Sequence, residues 1–499
     1  MSVSGILEIY DQLPAFAELV NTLNEQQPAP ALLLPQGARP SVLAKLYLER
    51  KVPIVLLTGR VESAAAWIQA LEMWLPAGDV MRRLPEPTPL PNDRGPWSDR
   101  CRAERIAVLM RLMAGQHPHI PALELPPIIV TSVRAFLQKT LPKRQFVSAT
   151  RALRVGQIID LEKLMQTWLD VGYEVAPVVE NAGQFSRRGG ILDIFPMASA
   201  YPVRIELFGD EIETMRSFDP ATQRTISVDG RADITSITTP PTREALPLIA
   251  RDYADSIPAE FLPDENAQNL PSWQDDIKEL QSGQAFPNLE YYLPLLYPQP
   301  ASLLDYLPEN GLVVVDDWPE LVTAVNELVE HADIILNEQP NLPPGYTSSL
   351  FPWEKISSEL HWWQPLILGE QVASEQVASE QVANEQVANK QVASESTPSS
   401  PHLLITSSPS PLADAFDPGP RYGGQMRPLM TQLKSAHNEG ERVVIVSRQA
   451  TRLADLWQQE TRPMQGMVGE GTEERRSEGD HDSLTPVPHH PITPSPHHL

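Results

Sequence analysis

A single cysteine, Cys101, stands among the 499 residues. That scarcity excludes an internal disulfide framework and any Cys-rich zinc site, and it suits a reducing compartment. Long apolar runs are missing as well. The longest, such as Pro53-Ile54-Val55-Leu56-Leu57, fall far short of the ~20 residues that span a bilayer, and no charged segment near Met1 leads into an apolar signal core. No membrane partner is expected, and a cytoplasmic location is the default. Positive charge is also scarce: 39 Lys+Arg face 64 Asp+Glu, a net charge of −25. Such a field repels polyanions unless cations gather locally, which disfavours a generic nucleic-acid-coating protein. Gly-x-Ser-x-Gly and His-Glu-x-x-His do not occur, so nothing marks an acyl-transfer or metalloprotease site.

Proline is abundant instead, at 51 residues, about twice its ~5% average usage. With 41% hydrophobic residues, packed domains alternating with linkers are expected. Up to about residue 150, short apolar runs alternate with amphipathic stretches, the pattern of an α/β domain with a mostly parallel sheet. Its candidate strands are Ala31–Leu34, Pro53–Thr58 and Ile128–Thr131. Ile106, Leu109, Met110 and Met113 fall on one face of a helix for which Asp99 is the candidate N-cap. Residues 151–235 read differently. Val203, Ile205 and Leu207 alternate with Arg204, Glu206 and Phe208 before a Gly209-Asp210 turn, and the second arm is irregular around Thr214 and Met215. This predicts a small antiparallel β-rich module with a bulge. Residues 236–345 return to α/β character, with Gly311–Val315 as a buried strand and Pro319–Glu330 as a helix that complete the first sheet and make the β-rich module an insertion.

A linker is expected over 346–402, because five copies of a five-residue unit (EQVAS, EQVAS, EQVAN, EQVAN, KQVAS) begin at Glu370. Five residues advance a helix by about 500°, so the valines form no apolar stripe. Trp353, Trp362 and Trp363, which few cations accompany, read as a packing anchor just before the repeats. A small α/β unit is expected over 403–462, with a strand at Arg442–Val446, and a disordered His-containing tail over 463–499.

The first strand leads into Pro35-Gln36-Gly37-Ala38-Arg39-Pro40-Ser41. A phosphate-binding loop needs successive glycines and a Lys-Ser/Thr pair there, and Pro40 removes one amide. Val313-Val314-Val315-Asp316-Asp317 resembles a magnesium-holding strand end, but without the loop it carries no ATP hydrolysis. No catalytic residue, cofactor or metal site is therefore expected. Cys101 sits near arginines at a helix start, an environment able to lower a thiol pKa, and His117 and His119 lie in a Pro-flanked loop without a carboxylate at ligand spacing; neither is read as a site. The strongest local signal is Gly183-Gln184-Phe185-Ser186-Arg187-Arg188-Gly189-Gly190, two arginines on a turn in an acidic chain, suited to pairing with a partner's carboxylates.

The run Gly183–Arg224, GQFSRRGGILDIFPMASAYPVRIELFGDEIETMRSFDPATQR, closely resembles the UvrB-interaction domain of bacterial transcription-repair coupling factors and its counterpart in UvrB. Val130–Ala135, Phe286–Tyr292, Leu304–Pro308 and Arg421-Tyr422-Gly423-Gly424 support it. The resemblance implies a degenerate RecA/UvrB-like parallel-sheet domain carrying a UvrA-docking insertion. It also implies a non-catalytic UvrA-binding role in transcription-coupled nucleotide excision repair. By matching motifs Arg188 corresponds to a family arginine that contacts UvrA, with Arg187 and Phe185 flanking it, so the resemblance implies a UvrA contact there. Ser186 departs from an arginine in UvrB, and Val175 from another in many relatives. No stretch resembles the polymerase-binding domain or the helicase motifs. The expectation is accordingly a truncated or split factor whose separately encoded motor half would reach RNA polymerase and DNA. A DNA-dependent ATPase component and a nonfunctional fragment are the alternatives.

Overall fold

The computed structural model describes residues 3–258 apart from 26, 30, 76–79, 229 and 231; 273–369 apart from 340 and 341; 410–416; and, within 421–461, residues 422, 425–440, 443, 445 and 450–461. The chain divides into two compact units, 1–420 and 421–499. The EQVAS repeats and the 463–499 tail lie outside the described residues.

A six-stranded sheet organises the first unit. Its spatial order is β1 (Leu32–Leu33), β13 (Leu366–Gly369), β12 (Leu312–Asp316), β2 (Ile54–Thr58), β4 (Ile128–Ser132) and β3 (Met81–Leu84). Every pairing in it is parallel. The central strands β12, β2 and β4 are buried along their whole length, which is why their sequences are continuous apolar runs rather than alternations. The strands expected at 31–34, 53–58, 128–131 and 311–315 are present within a residue or two.

Two strands of this sheet escaped the sequence reading. β3, Met-Arg-Arg-Leu, is an edge strand with a single neighbour and a half-buried face, so it needs no apolar run. β13 corrects the boundary drawn at 346: the helix Trp353–Trp363 buries Trp353, Ile356 and Leu360, and the chain then inserts β13 between β1 and β12. The proline-rich approach concealed a short helix-strand pair whose burial comes from the sheet. Trp353 packs 6.2 Å from Trp318 as an anchor, whereas Trp362 is exposed. A second boundary moves too. Residues 410–416, assigned above to the 403–462 unit, pack on the first unit, with the Ser410 amide donating to Ala31 O at 3.1 Å, Leu412 buried and the Phe416 ring 6.1 Å from Tyr10.

The insertion leaves and returns through a paired stalk. β5 (Arg151–Arg154) runs antiparallel to β11 (Ser236–Thr239), so the module ends at 239 rather than 235. Above the stalk lies a five-stranded sheet in the order β10 (Glu211–Ser217), β9 (Val203–Phe208), β8 (Ile191–Ile194), β7 (Gln184–Arg188) and β6 (Glu174–Val175). It is antiparallel except between β6 and β7. The β9–β10 register shifts between Ile212 and Thr214, the bulge that the broken alternation predicts. Trp168 of the helix Leu161–Asp170 packs edge-on to Phe185 at 5.3 Å, and Leu192, Ile194, Ile205, Ile212 and Met215 fill the core beneath them.

Where the insertion returns, two adjacent residues fasten it. Arg243 bonds Glu290 through both guanidinium arms at 2.7 Å, and Glu244 receives Arg105. All four side chains are at most 4% exposed. Burial alone would lower the Arg105 pKa, but the Glu244 carboxylate outweighs it and raises the pKa above its usual value. Gly172 makes room for this join: its φ is +98°, and a Cβ there would sit 2.5 Å from Thr242 Oγ1. The second unit contributes the helices Met426–Asn438 and Ala450–Thr461, with the His437 and Trp457 rings 5.7 Å apart. The strand expected at 442–446 lies largely outside the described residues.

Removing one partner of a buried pair strands the other, at a cost of ~3–5 kcal/mol. Glu244→Ala is expected to lower stability in urea unfolding by that amount, and a loss below ~1 kcal/mol would show that Arg105 finds another partner.

Candidate protein-docking site

Strand alternation decides which residues of the cationic turn can act together. In β7, Phe185 and Arg187 lie on the core side of the sheet and Ser186 and Arg188 on the other. Register carries that outer face across the module: Ser186 stands opposite Asp193, Asp193 opposite Arg204 and Arg204 opposite Arg216. Asp193 is the hub. Its side chain is 1% exposed and accepts Arg204 Nε at 2.8 Å, Arg204 Nη2 at 2.9 Å and Arg188 Nη2 at 2.6 Å. The Arg204 guanidinium also lies 4.7 Å from the centre of the Phe218 ring, and the hydrogen bond to Asp193 raises its pKa.

One buried carboxylate thus serves two guanidinium groups and leaves the trio with a surplus positive charge. Arg204 is largely enclosed, so the surplus surfaces at Arg188, whose side chain is 50% exposed. The two-residue turn Gly189-Gly190, with Gly189 at φ +62°, closes the hairpin beside it.

Of the three residues singled out from the sequence, the structure exposes Arg187 and Arg188 and buries Phe185 at 2% exposure. Phe185 is a core residue under Trp168 and cannot touch a partner directly, because alternation turns it inward. The arginines do not form one spot either, since neighbouring strand residues face opposite sides. Arg187 is exposed and makes no ion pair among the described residues. Ser186 is 4% exposed and its Oγ donates to Pro177 O at 3.2 Å, while Val175 on edge strand β6 is exposed. Asp193 was missed in the sequence, although an aspartate inside the apolar run Ile191–Phe195 is itself the signal.

The loop after β1 shows a different use of charge. Arg39, 3% exposed, donates to Asp316 Oδ1 at 2.7 Å and to Leu34 O at 3.2 Å, and Trp67 Nε1 donates to Asp316 Oδ2 at 2.6 Å. Asp317 caps the helix Trp318–Glu338, accepting the Glu320 amide at 3.1 Å. The adjoining cavity of about 400 Å³ is lined by Glu62, Asp316, Asp317 and Glu320 against Arg39 alone. A phosphate entering it would meet carboxylates and a guanidinium that is already paired.

The helix that carries Cys101 corrects another expectation. Ser98, not Asp99, caps it, and burial pushes the thiol pKa up to about 11, outweighing Arg105. His117 and His119 have ring centres 5.0 Å apart, but no cluster of metal-ligating side chains exists among the described residues. No helix among those residues is long and apolar enough to cross a membrane.

Two measurements check this site. Asp193→Asn keeps the shape but removes the charge that holds two arginines, and it is expected to cost ~1.5–3 kcal/mol in thermal unfolding; an unchanged midpoint would deny Asp193 its role as hub. A thiol with a pKa of about 11 is ionised at roughly one part in a thousand at pH 8. Cys101 in the native chain is therefore expected to react with a disulfide reagent at least about 100-fold more slowly than in guanidinium chloride, and comparable rates would contradict its burial.

Comparison with known proteins agrees with this geometry. Residues 152–239, which begin and end on the stalk strands, match the UvrB interaction domain family. The transcription-repair-coupling factor of Bacillus subtilis is 31% identical over 337 residues, 64% of this chain and 27% of that protein. Its namesake in Myxococcus xanthus is 32% identical over 318 residues, 60% of this chain and 25% of the relative. That of Mycobacterium bovis is 30% identical over 334 residues, 66% and 26%. The chain spans about a quarter of the length of these curated relatives. It is consistent with a module of the transcription-repair coupling factor type, carrying a UvrB interaction domain at residues 152–239.

Proposed function

We propose that the inserted module docks on UvrA and that the chain serves transcription-coupled nucleotide excision repair as a non-catalytic binding module. The observation that carries this reading is Arg188, held half-exposed by a buried aspartate within the segment that matches the UvrB interaction domain. A guanidinium already oriented by Asp193 loses little freedom when a partner carboxylate arrives, which favours a fixed docking geometry. RNA polymerase, DNA and a motor are, on this reading, engaged through parts of the coupling factor that this quarter-length match does not span. The ATPase alternative gains no support from the loop after β1, where Arg39 is committed to Asp316 and carboxylates line the cavity.

Titration against UvrA at moderate salt tests the reading. Truncating one side of a desolvated charge pair costs ~2–5 kcal/mol, so Arg188→Ala is expected to weaken binding by an order of magnitude or more. Arg187→Ala, on the other side of the sheet, is expected to change it less. Unchanged affinity in the Arg188 variant would remove this face from the interface.

A further inference from the structure

The outer face of the module can be read row by row from its register. Toward the stalk, Arg216, Arg204, Asp193 and Ser186 form one row, followed by Thr214, Glu206, Ile191 and Arg188. The last row, at the hairpin end, is Ile158, Glu211 and Phe208, because Ile158 bridges to Glu211 and Glu211 stands opposite Phe208. Directly opposed residues share a face, so Phe208, Ile158, Ile191 and Arg188 emerge on the same side. The row near the stalk is closed: Ser186 and Asp193 are buried, and Gln223 Nε2 donates to Val179 O across it. The hairpin end is open. Phe208 and Ile158 are each 77% exposed, more than any other large hydrophobic side chain described, and Ile191 is 36% exposed.

The fold gives Phe208 no work to do. The turn after it needs only Gly209 at φ +63°, and the core side of β9 is filled by Val203 and Ile205. On the same face Glu206 is engaged by Thr214 Oγ1 at 2.9 Å and by Arg216 at 3.6 Å, and Glu211, opposite Phe208, is exposed. Arg188 is a half-exposed cation on the face that carries this apolar surface. Two strand spacings and two residues of rise put Phe208 about 12 Å from Arg188 along the sheet, within reach of one partner surface.

We propose that the UvrA-docking face is a mixed patch in which Phe208 is the apolar anchor, Ile158 and Ile191 its rim, and Arg188 the charged register point. Its occupant is a UvrA surface that offers an apolar recess next to carboxylates. This rests on the UvrA reading above and adds the anchor to it. Exposed aromatic side chains beside arginines are the residue types that dominate interface energetics.

The test is titration of UvrA with the full chain and its Phe208→Ser, Ile158→Ser and Arg188→Ala variants at low and high salt. Phe208→Ser is expected to weaken binding at least tenfold at both salt concentrations, Ile158→Ser several-fold, and Arg188→Ala more strongly at low salt than at high, since only the charge is screened. Melting temperatures equal to that of the parent chain confirm folding, as expected for side chains mostly in solvent. If Phe208→Ser and Ile158→Ser bind like the parent while Arg188→Ala does not, the anchor is overturned and the UvrA reading stands. Absence of binding by the parent chain overturns both.

Discussion

Two neighbouring residues of opposite charge, Arg243 and Glu244, tie two separate elements of the first unit to one point of the chain. Each is buried and each finds its partner on a different element: Glu290 in the helical segment after the insertion, and Arg105 on the helix that flanks β3. A buried ion pair gains little over a well-packed apolar pair, but half of one is very costly, so such pairs specify position more than they add stability. Here they fix where the inserted module returns to the sheet domain. Gly172 must then approach Thr242 more closely than any side chain allows, and the stalk strands β5 and β11 are brought into register above it.

The same logic recurs inside the module. Asp193 would be a defect in an apolar strand without Arg204 and Arg188, and together they turn that defect into an oriented, partly exposed cation. In an acidic chain a free surface arginine is easily neutralised by a passing carboxylate. Arg188 keeps its surplus charge because the carboxylate it pairs with, Asp193, is already shared with Arg204.

At the head of the parallel sheet the rule works in the opposite direction. Arg39 and Trp67 each donate to Asp316, and Asp317 is spent on capping a helix. Residue types that a nucleotide site would expose to its ligand are bonded internally, so the strand ends act as a clasp between β1 and β12 across the intervening β13. On the proposed reading the sheet serves as a scaffold for the insertion, and the docking surface belongs to the module.

Much of this was written locally. Continuous apolar runs announced β2, β4 and β12, alternation and a Gly-Asp turn announced the β9–β10 hairpin, and a break in alternation announced its bulge, because each depends on the side-chain periodicity of a single strand. The arginine turn was legible for the same reason. The sequence could not show that Phe185 turns inward while Phe208 stays in solvent, since both are phenylalanines in alternating strands and only the helix Leu161–Asp170 covers one face. Nor could it show that β13 slots between β1 and β12, or that Asp193, Arg188 and Arg204 meet. The sequence by itself determined the central strands, the two architectures and the residue types of the arginine turn. Tertiary structure alone decided which charges pair and which side chains reach solvent, because pairing and exposure are set by register and by what packs above each strand, and neither is a property of neighbours along the chain.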